Sequence, residues 1–118
     1  MLILSLNFRG LGKRSKKLAL KCMVNIHFRD ILMLQKTLSS GDYILNDLTL
    51  LILGWYFFYT NVIGRPGGII TGWLKKYLLC TNSWSVFTGL TTVLFLSELG
   101  SYFTLLNIYG PNTNMIAY

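Results

Sequence analysis

A chain of 118 residues is long enough for one hydrophobic core and too short for two comfortable ones, so a single unit spanning residues 1–118 is expected. Hydrophobic residues make up 53% and charged residues 13%, which excludes a disordered chain and leaves a very apolar globular unit or a membrane protein. The net charge of +7 is uneven, six of the eleven Lys and Arg residues falling between Arg9 and Lys21, and such a patch implies an anionic partner, either nucleic acid or a lipid headgroup.

Leu2 to Phe8, LILSLNF, reads as a first strand bounded by the turn residues Gly10 and Gly12. From Lys13 a helix is predicted, with Leu18, Cys22 and Ile26 at four-residue spacing forming an apolar face. Lys13, Arg14, Lys17 and Lys21 lie opposite as a cationic one. DILMLQKTL then gives four consecutive apolar residues after Asp30, the pattern of a strand covered on both sides, running out into Gln35, Lys36 and Thr37. Strand, helix, buried strand is the opening of a βαβ unit, and in such folds ligands gather at the carboxyl ends of the strands.

Leu48 to Gly64 is a stretch of seventeen residues without a formal charge. One reading is a spanning helix, which needs about 20 apolar residues and would have to take in Asn46 and Asp47 or Arg65. The other is a helix, a turn at Gly54 and a strand through the aromatic run Trp55 to Tyr59. RPGG at Arg65 to Gly68 marks a turn before the strand IITGW. Trp84 to Phe87, Thr91 to Leu96 and Tyr102 to Tyr109, separated by Gly89 and Gly100, then suggest an antiparallel meander. The chain closes through Asn107 to Asn114, NIYGPNTN, read as a sharp polar loop.

Cys22 and Cys80 are far apart and lack a second close ligand, so neither a zinc site nor a disulfide scaffold is indicated. A reduced intracellular chain, nuclear or cytoplasmic, is the expectation. His27 is the sole histidine, which excludes a multi-histidine metal site and a His-centred triad from this chain alone, and it reads as a helix-end residue. The apolar run at the amino terminus precedes the basic run, the reverse of a secretory signal, although residues 1–29 are acid-poor like a mitochondrial presequence.

The segments LSLNFRGLGKRSKK, DILMLQKT, GWYFFYTNVIGRPGGIITGW and LLNIYGPN occur in the order and approximate spacing of a known pattern. It resembles the amino-terminal half of an endonuclease/exonuclease/phosphatase domain, most of all the plant non-LTR, LINE-type retrotransposon versions. Their blocks run S-W-N-x-R-G-L-G, P-D-I-x-x-L-Q-E-T, S-G-G-I-x-x-x-W-D and N-V-Y-G-P-N. The resemblance covers residues 3–114. It implies an α/β fold, a partial four-layer α/β sandwich, from a family that cuts phosphodiester bonds with magnesium.

Under that resemblance Asn7 falls on the asparagine that orders the metal and phosphate site, with a strand-end cap as its plainer role. Tyr109 falls on the tyrosine that hydrogen-bonds the scissile phosphate and Asn112 on the loop asparagine that touches the nucleic-acid backbone, although turn chemistry alone would account for Tyr-Gly-Pro-Asn. Gly67 and Gly68 match a pair of glycines before the next strand. Leu6, Pro66 and Leu74 depart from the family's tryptophan, serine and aspartate.

The consequential departure is Lys36, at the position of the family's metal-binding glutamate. Magnesium takes oxygen ligands, whereas an ammonium group offers three donors and no acceptor. Two unit charges about 4 Å apart interact by roughly 4 kcal/mol at an effective dielectric of 20, and a divalent ion doubles that repulsion. No metal ligand is therefore assigned and no bound magnesium is expected, while Lys36 would attract a phosphate as a point charge. A solvated surface lysine is the plain alternative. The resemblance places the family's Asp-x-Asn motif and closing Asp-His pair beyond Tyr118, which leaves Asp30, Asp42, Asp47 and Glu98, none on a catalytic motif.

The leading expectation is a truncated, drifted and catalytically inactive half of a magnesium-dependent endonuclease domain. The alternatives are a module that holds nucleic acid through residues 9–21, with Lys13, Lys17 and Lys21 prominent, or a small membrane protein spanning at 48–64. No small-molecule cofactor is implied, and oligomeric state is left open. Strands that the other half would pair or cover are expected to be exposed.

Overall fold

The computed structural model describes residues 2–7, 11, 13–27, 30–35, 37, 41–61, 68–86, 89–109 and 116–117, apart from the side chains of 27, 41–43 and 116–117. Strands β1 (Ile3–Asn7) and β2 (Ile31–Gln35) run parallel, Ile3 opposite Ile31 and Asn7 opposite Gln35. A parallel pair cannot be joined by a tight turn, and helix α1 (Arg14–His27) makes the crossover. Helix α2 (Gly41–Leu51) follows and ends in a turn where Gly54 adopts φ 85°, a left-handed conformation that glycine takes without a Cβ penalty. The chain enters strand β3 (Trp55–Asn61) and returns antiparallel as β4 (Gly68–Leu74), which inserts between β2 and β3 to give a four-stranded sheet of order β1-β2-β4-β3.

Strands β5 (Leu78–Val86), β6 (Gly89–Leu96), β7 (Ser101–Ile108) and β8 (Ile116–Ala117) make a second, antiparallel sheet in sequence order. The meander is as the sequence suggests, but β5 begins six residues before Trp84, and Gly89 opens a strand instead of separating two. Asn107, which falls within the predicted strand Tyr102 to Tyr109 and opens the polar segment that ends it, is a buried strand residue of β7.

Alternation explains the layering. On β2, Leu32 and Leu34 face α1 and α2, where they join Leu20, Val24, Ile44, Leu48 and Ile70 in one core. Ile31 and Met33 face the second sheet and meet Trp73, Leu78, Leu94 and Leu105 in another. All five β2 residues are buried, as the uniform apolar run requires. The edge strand β3 alternates instead, with Trp55 buried and Tyr56 and Phe58 exposed. A Thr60 Oγ1 to Ser85 Oγ hydrogen bond of 2.7 Å ties this edge to β5.

The spanning-helix alternative falls away here, and one expectation is corrected. The apolar window at 48–64 is cut by the end of α2, the Gly54 turn and β3, so it is not one helix. Among the described residues no helix is long and apolar enough to cross a membrane. Helix α1 is also rotated from the predicted face. Lys17, Leu20 and Val24 are buried, while Leu18, Cys22 and Ile26 are exposed. The inward turn of Lys17 is possible because its ammonium donates to the Asp47 carboxylate on α2, an ion pair between residues thirty positions apart.

Gly72 is required for a different reason from Gly54. It lies opposite Phe57 in the β3–β4 ladder, and a Cβ there would come within 2.6 Å of the Phe57 ring. The ring covers the backbone where a side chain would otherwise stand. Gly72→Ala is expected to lower stability by about 1–3 kcal/mol through overpacking, read as a fall in the urea midpoint. Coupling with Phe57→Leu, which shortens the clash, should recover part of the loss.

Candidate functional site at the carboxyl ends of β1 and β2

Parallel pairing aligns the carboxyl ends of β1 and β2, and the antiparallel partners bring the start of β4 and the end of β7 to the same place. Gln35 pairs with Asn7 on one side and with Ile69 on the other. Ser5 and Gln35 share the face turned toward the second sheet with Asn107 of β7. The Gln35 Nε2 amide donates to Asn107 Oδ1 at 2.8 Å, Ser5 Oγ at 3.1 Å and the Met33 carbonyl at 3.2 Å. The Asn107 Nδ2 amide donates to the Ile70 carbonyl at 2.9 Å and to Thr71 Oγ1 at 3.2 Å. Two amide side chains thus join the sheets at one end of an interface that is mainly apolar further along.

Two neighbouring atoms, Gln35 Oε1 and Thr37 Oγ1, are buried with no hydrogen-bond partner among the described residues. A buried polar atom without a partner costs roughly 1–3 kcal/mol, so this end of the sandwich carries unspent acceptor capacity. Such an atom marks a place for a water or for a polar ligand group.

Asn7 lies two residues beyond Ser5 on β1 and is exposed. Tyr109 lies two residues beyond Asn107 and is buried against Ile69 and Leu90. Strand periodicity puts both one step further along the faces that carry the amide network, at the same end of the molecule. Lys36 and Asn112 lie outside the described residues. Lys13 is exposed at the start of α1, Lys21 is half-buried on the same helix, and Lys17 is turned inward to Asp47, on the far side of the first sheet from the network. The structure brings Asn7 and Tyr109 to the strand ends and sets the helix lysines apart from them.

Gln35 and Asn107 hold this end together, yet sequence reasoning did not single them out as site residues. Gln35 was visible as the polar terminus of a buried strand. Asn107 carried one usable signal, its two-residue spacing from Tyr109 on a strand that buries alternate residues.

The donors here do not suit a magnesium ion, which favours carboxylate and water oxygens. Asp30 sits at the opposite end of β2, where its carboxylate accepts from the Leu2 amide at 3.0 Å. Asp47 is committed to Lys17, and Glu98 lies in the turn between β6 and β7, away from Asn107. Asp42 is on α2, its side chain outside the described residues. Among the described residues no group of three or more His, Cys, Asp or Glu side chains could hold a metal.

A cleft of about 420 Å³ lies at the other end of the sheets between Tyr56, Phe58, Trp73 and Lys75. Lys75 Nζ stands 4.1 Å from the centre of the Tyr56 ring and is committed to it. Burial pushes the Cys80 thiol up from its ordinary pKa, against a smaller opposing effect of the Asn82 backbone, so thiolate is scarce there at neutral pH. That cleft has no acid–base pair to offer.

No family model matches the chain, and no curated protein matches it. Solved structures do. The chain is similar to the human Nocturnin catalytic domain with bound sulfate, at TM-score 0.68 and 16% identity over 88% of this chain and 48% of that one. It is similar to zebrafish (D. rerio) TDP2 complexed with a single-stranded DNA product, at TM-score 0.70 and 16% identity over 88% of this chain and 43% of that one. A mannosyl-6-phosphatase from Bacteroides thetaiotaomicron matches at TM-score 0.66 and 14% identity over 90% of this chain and 50% of its own. A further Bacteroides thetaiotaomicron match is described as an endonuclease/exonuclease/phosphatase family protein. The chain therefore has the endonuclease/exonuclease/phosphatase fold, and it spans half or less of the length of these structures.

The amide pair is expected to behave as a unit. Asn107→Leu leaves the Gln35 amide without its inter-sheet acceptor and should cost about 2 kcal/mol. The double variant Gln35→Leu with Asn107→Leu should cost less than the two single changes added together, as a double-mutant cycle by urea denaturation would read.

Proposed function

We propose that residues 1–118 are the amino-terminal half of an endonuclease/exonuclease/phosphatase domain of the retrotransposon, LINE-type kind, and that this half does not cut phosphodiester bonds. The donor set at the strand ends carries the proposal. Where a magnesium-dependent hydrolase of this fold would gather carboxylates, the described residues supply amides and hydroxyls, and the motif resemblance aligns Lys36 with the family's glutamate. Neither an ammonium nor a neutral amide pair can replace an acidic ligand or act as a general base at neutral pH. Asn7 and Tyr109 are the two matched side chains among the described residues, Asn7 exposed and Tyr109 buried, and neither could activate a nucleophile.

The test is nicking of supercoiled plasmid by purified protein with magnesium. No conversion above a no-protein control is expected, and conversion that disappears in Asn7→Ala or Tyr109→Phe would overturn the proposal. Lys36→Glu alone should restore no cleavage, because one carboxylate supplies neither a base nor the rest of a metal site.

A second reading, that the chain holds nucleic acid without cutting it, is favoured by the exposed cations Lys13 and Arg14 at the start of α1 and by the DNA bound to the TDP2 structure. A few phosphate contacts give weak, salt-sensitive binding, with log K falling by roughly 0.7 per contact per decade of salt on single strands. Lys13→Ala with Lys21→Ala should flatten that slope by about 1–2. Lys17→Ala should leave the slope unchanged while lowering stability, since its charge is spent on Asp47. Fluorescence anisotropy of a labelled oligonucleotide across a salt series reads both, and a flat salt response in the unaltered protein rejects this reading.

A further inference from the structure

Helix α1 belongs to an outer layer of the molecule, with the first sheet beneath it, and an outer helix ordinarily turns polar residues to water. This one does not. With Lys17, Leu20 and Val24 turned inward, the ridge Leu18, Cys22 and Ile26 points the opposite way, Leu18 39% and Ile26 68% exposed. Arg14 begins the same four-residue ridge and Lys21 flanks it. The helix carries four cations, Arg14, Lys16, Lys17 and Lys21, and no acid. The surface continues onto α2, where Leu50, 75% exposed, shares a hollow of about 260 Å³ with Arg14, Lys17, Asp47 and Leu51. Asp47 is the one acid among the described side chains of the two helices, and Lys17 neutralises it.

The shortfall in length against the matched structures does not account for this exposure. In a four-layer sandwich the sheets lie inside and the helices outside, so the rest of such a domain adds strands and helices beside α1 or over the second sheet. A cover on the outward side of α1 would be a fifth layer.

We propose that this outward helical face docks on an anionic bilayer surface, lying in the interface without crossing it. The mixture of residues selects the occupant. Aliphatic side chains gain by entering the acyl boundary, about 5–10 Å deep, while the stems of Lys and Arg reach back to the headgroup phosphates. A nucleic-acid backbone would engage the cations and leave Leu18, Ile26 and Leu50 in water, because bases stack on aromatic rings and α1 has none. A second copy would set one cationic flank against another. A few aliphatic side chains anchor weakly, so binding depends on the anionic lipid, each Lys or Arg near the surface strengthening it by about fivefold.

Flotation of the 118-residue protein with vesicles of phosphatidylcholine, alone or with about 30% phosphatidylserine, tests this. The protein should float with the second kind and not the first, and should be released as salt rises from about 50 to 300 mM. Leu18→Gln with Ile26→Gln keeps the charge at two exposed helix positions and should weaken binding about tenfold or more. Leu79→Gln with Trp84→Gln, on the outer face of the second sheet, should leave it unchanged. In the unaltered protein, alkylation of the exposed Cys22 should slow several-fold on adding the anionic vesicles, and that of the half-buried Cys80 should not. Flotation indifferent to phosphatidylserine, binding that ignores the Leu18 and Ile26 changes, loss of binding through the Leu79 and Trp84 changes, or a Cys22 left unprotected would each overturn the proposal. Capture of a single-stranded oligonucleotide that weakens with Leu18→Gln and Ile26→Gln would overturn it too, by assigning the face to nucleic acid.

Discussion

Double burial of β2 is the constraint on which the other elements depend. A strand in the middle of its sheet, with helices on one face and another sheet on the other, has no water to satisfy a polar side chain, so each of its residues must be apolar or have a protein partner. Four residues meet the first condition and Gln35 meets the second through Asn107, seventy-two positions away in sequence. The apolar residues fix the spacing of the layers by packing. The amide pair fixes how one sheet is set against the other, because a hydrogen bond between buried groups tolerates little displacement before its cost exceeds its gain.

How far the sequence discloses this depends on the range of the interactions involved. The uniform apolar run from Ile31 to Leu34 is a local pattern with one good explanation, and its double burial was legible. So was the break in the apolar window, because Gly54 and the aromatic run that follows serve a turn and strand better than a continuous helix. The face of α1 was not legible. Two stripes compete on that helix, and the four-residue series Leu18, Cys22 and Ile26 is the more apolar by composition. What decides is Asp47 on another helix, which lets the alkyl stem of Lys17 go inward while its charge is met.

The candidate site divides along the same line. Asn7 and Tyr109 are named by the resemblance, which attaches to contiguous motifs, and the fold sets both at one end of the sheets. Gln35 and Asn107 belong to no motif that names a chemistry. Their contribution exists only once β2 and β7 are face to face, and a single chain read in order does not present that juxtaposition. Lys36 and Asn112 lie outside the described residues, so the reading of the site as non-catalytic draws on Lys36 through the sequence and on the acids Asp30, Asp47 and Glu98 through their structural placement.

On the proposed reading, that placement also explains how such a site could lose its acid without losing the fold. The apolar cores lie between the helices and the first sheet and between the two sheets, and neither needs a carboxylate at the strand ends. A cluster of acids gathered for a cation is held at a cost, since like charges in a low-dielectric cleft repel until the ion neutralises them. Replacing one of them by lysine removes that repulsion while leaving the layers unchanged. Selection for folding and selection for cleavage thus act on separate residues in this half of the sandwich. On the proposed reading, drift at the second set would meet no resistance from the first, and an architecture recognisable at 16% identity would outlive the chemistry associated with it.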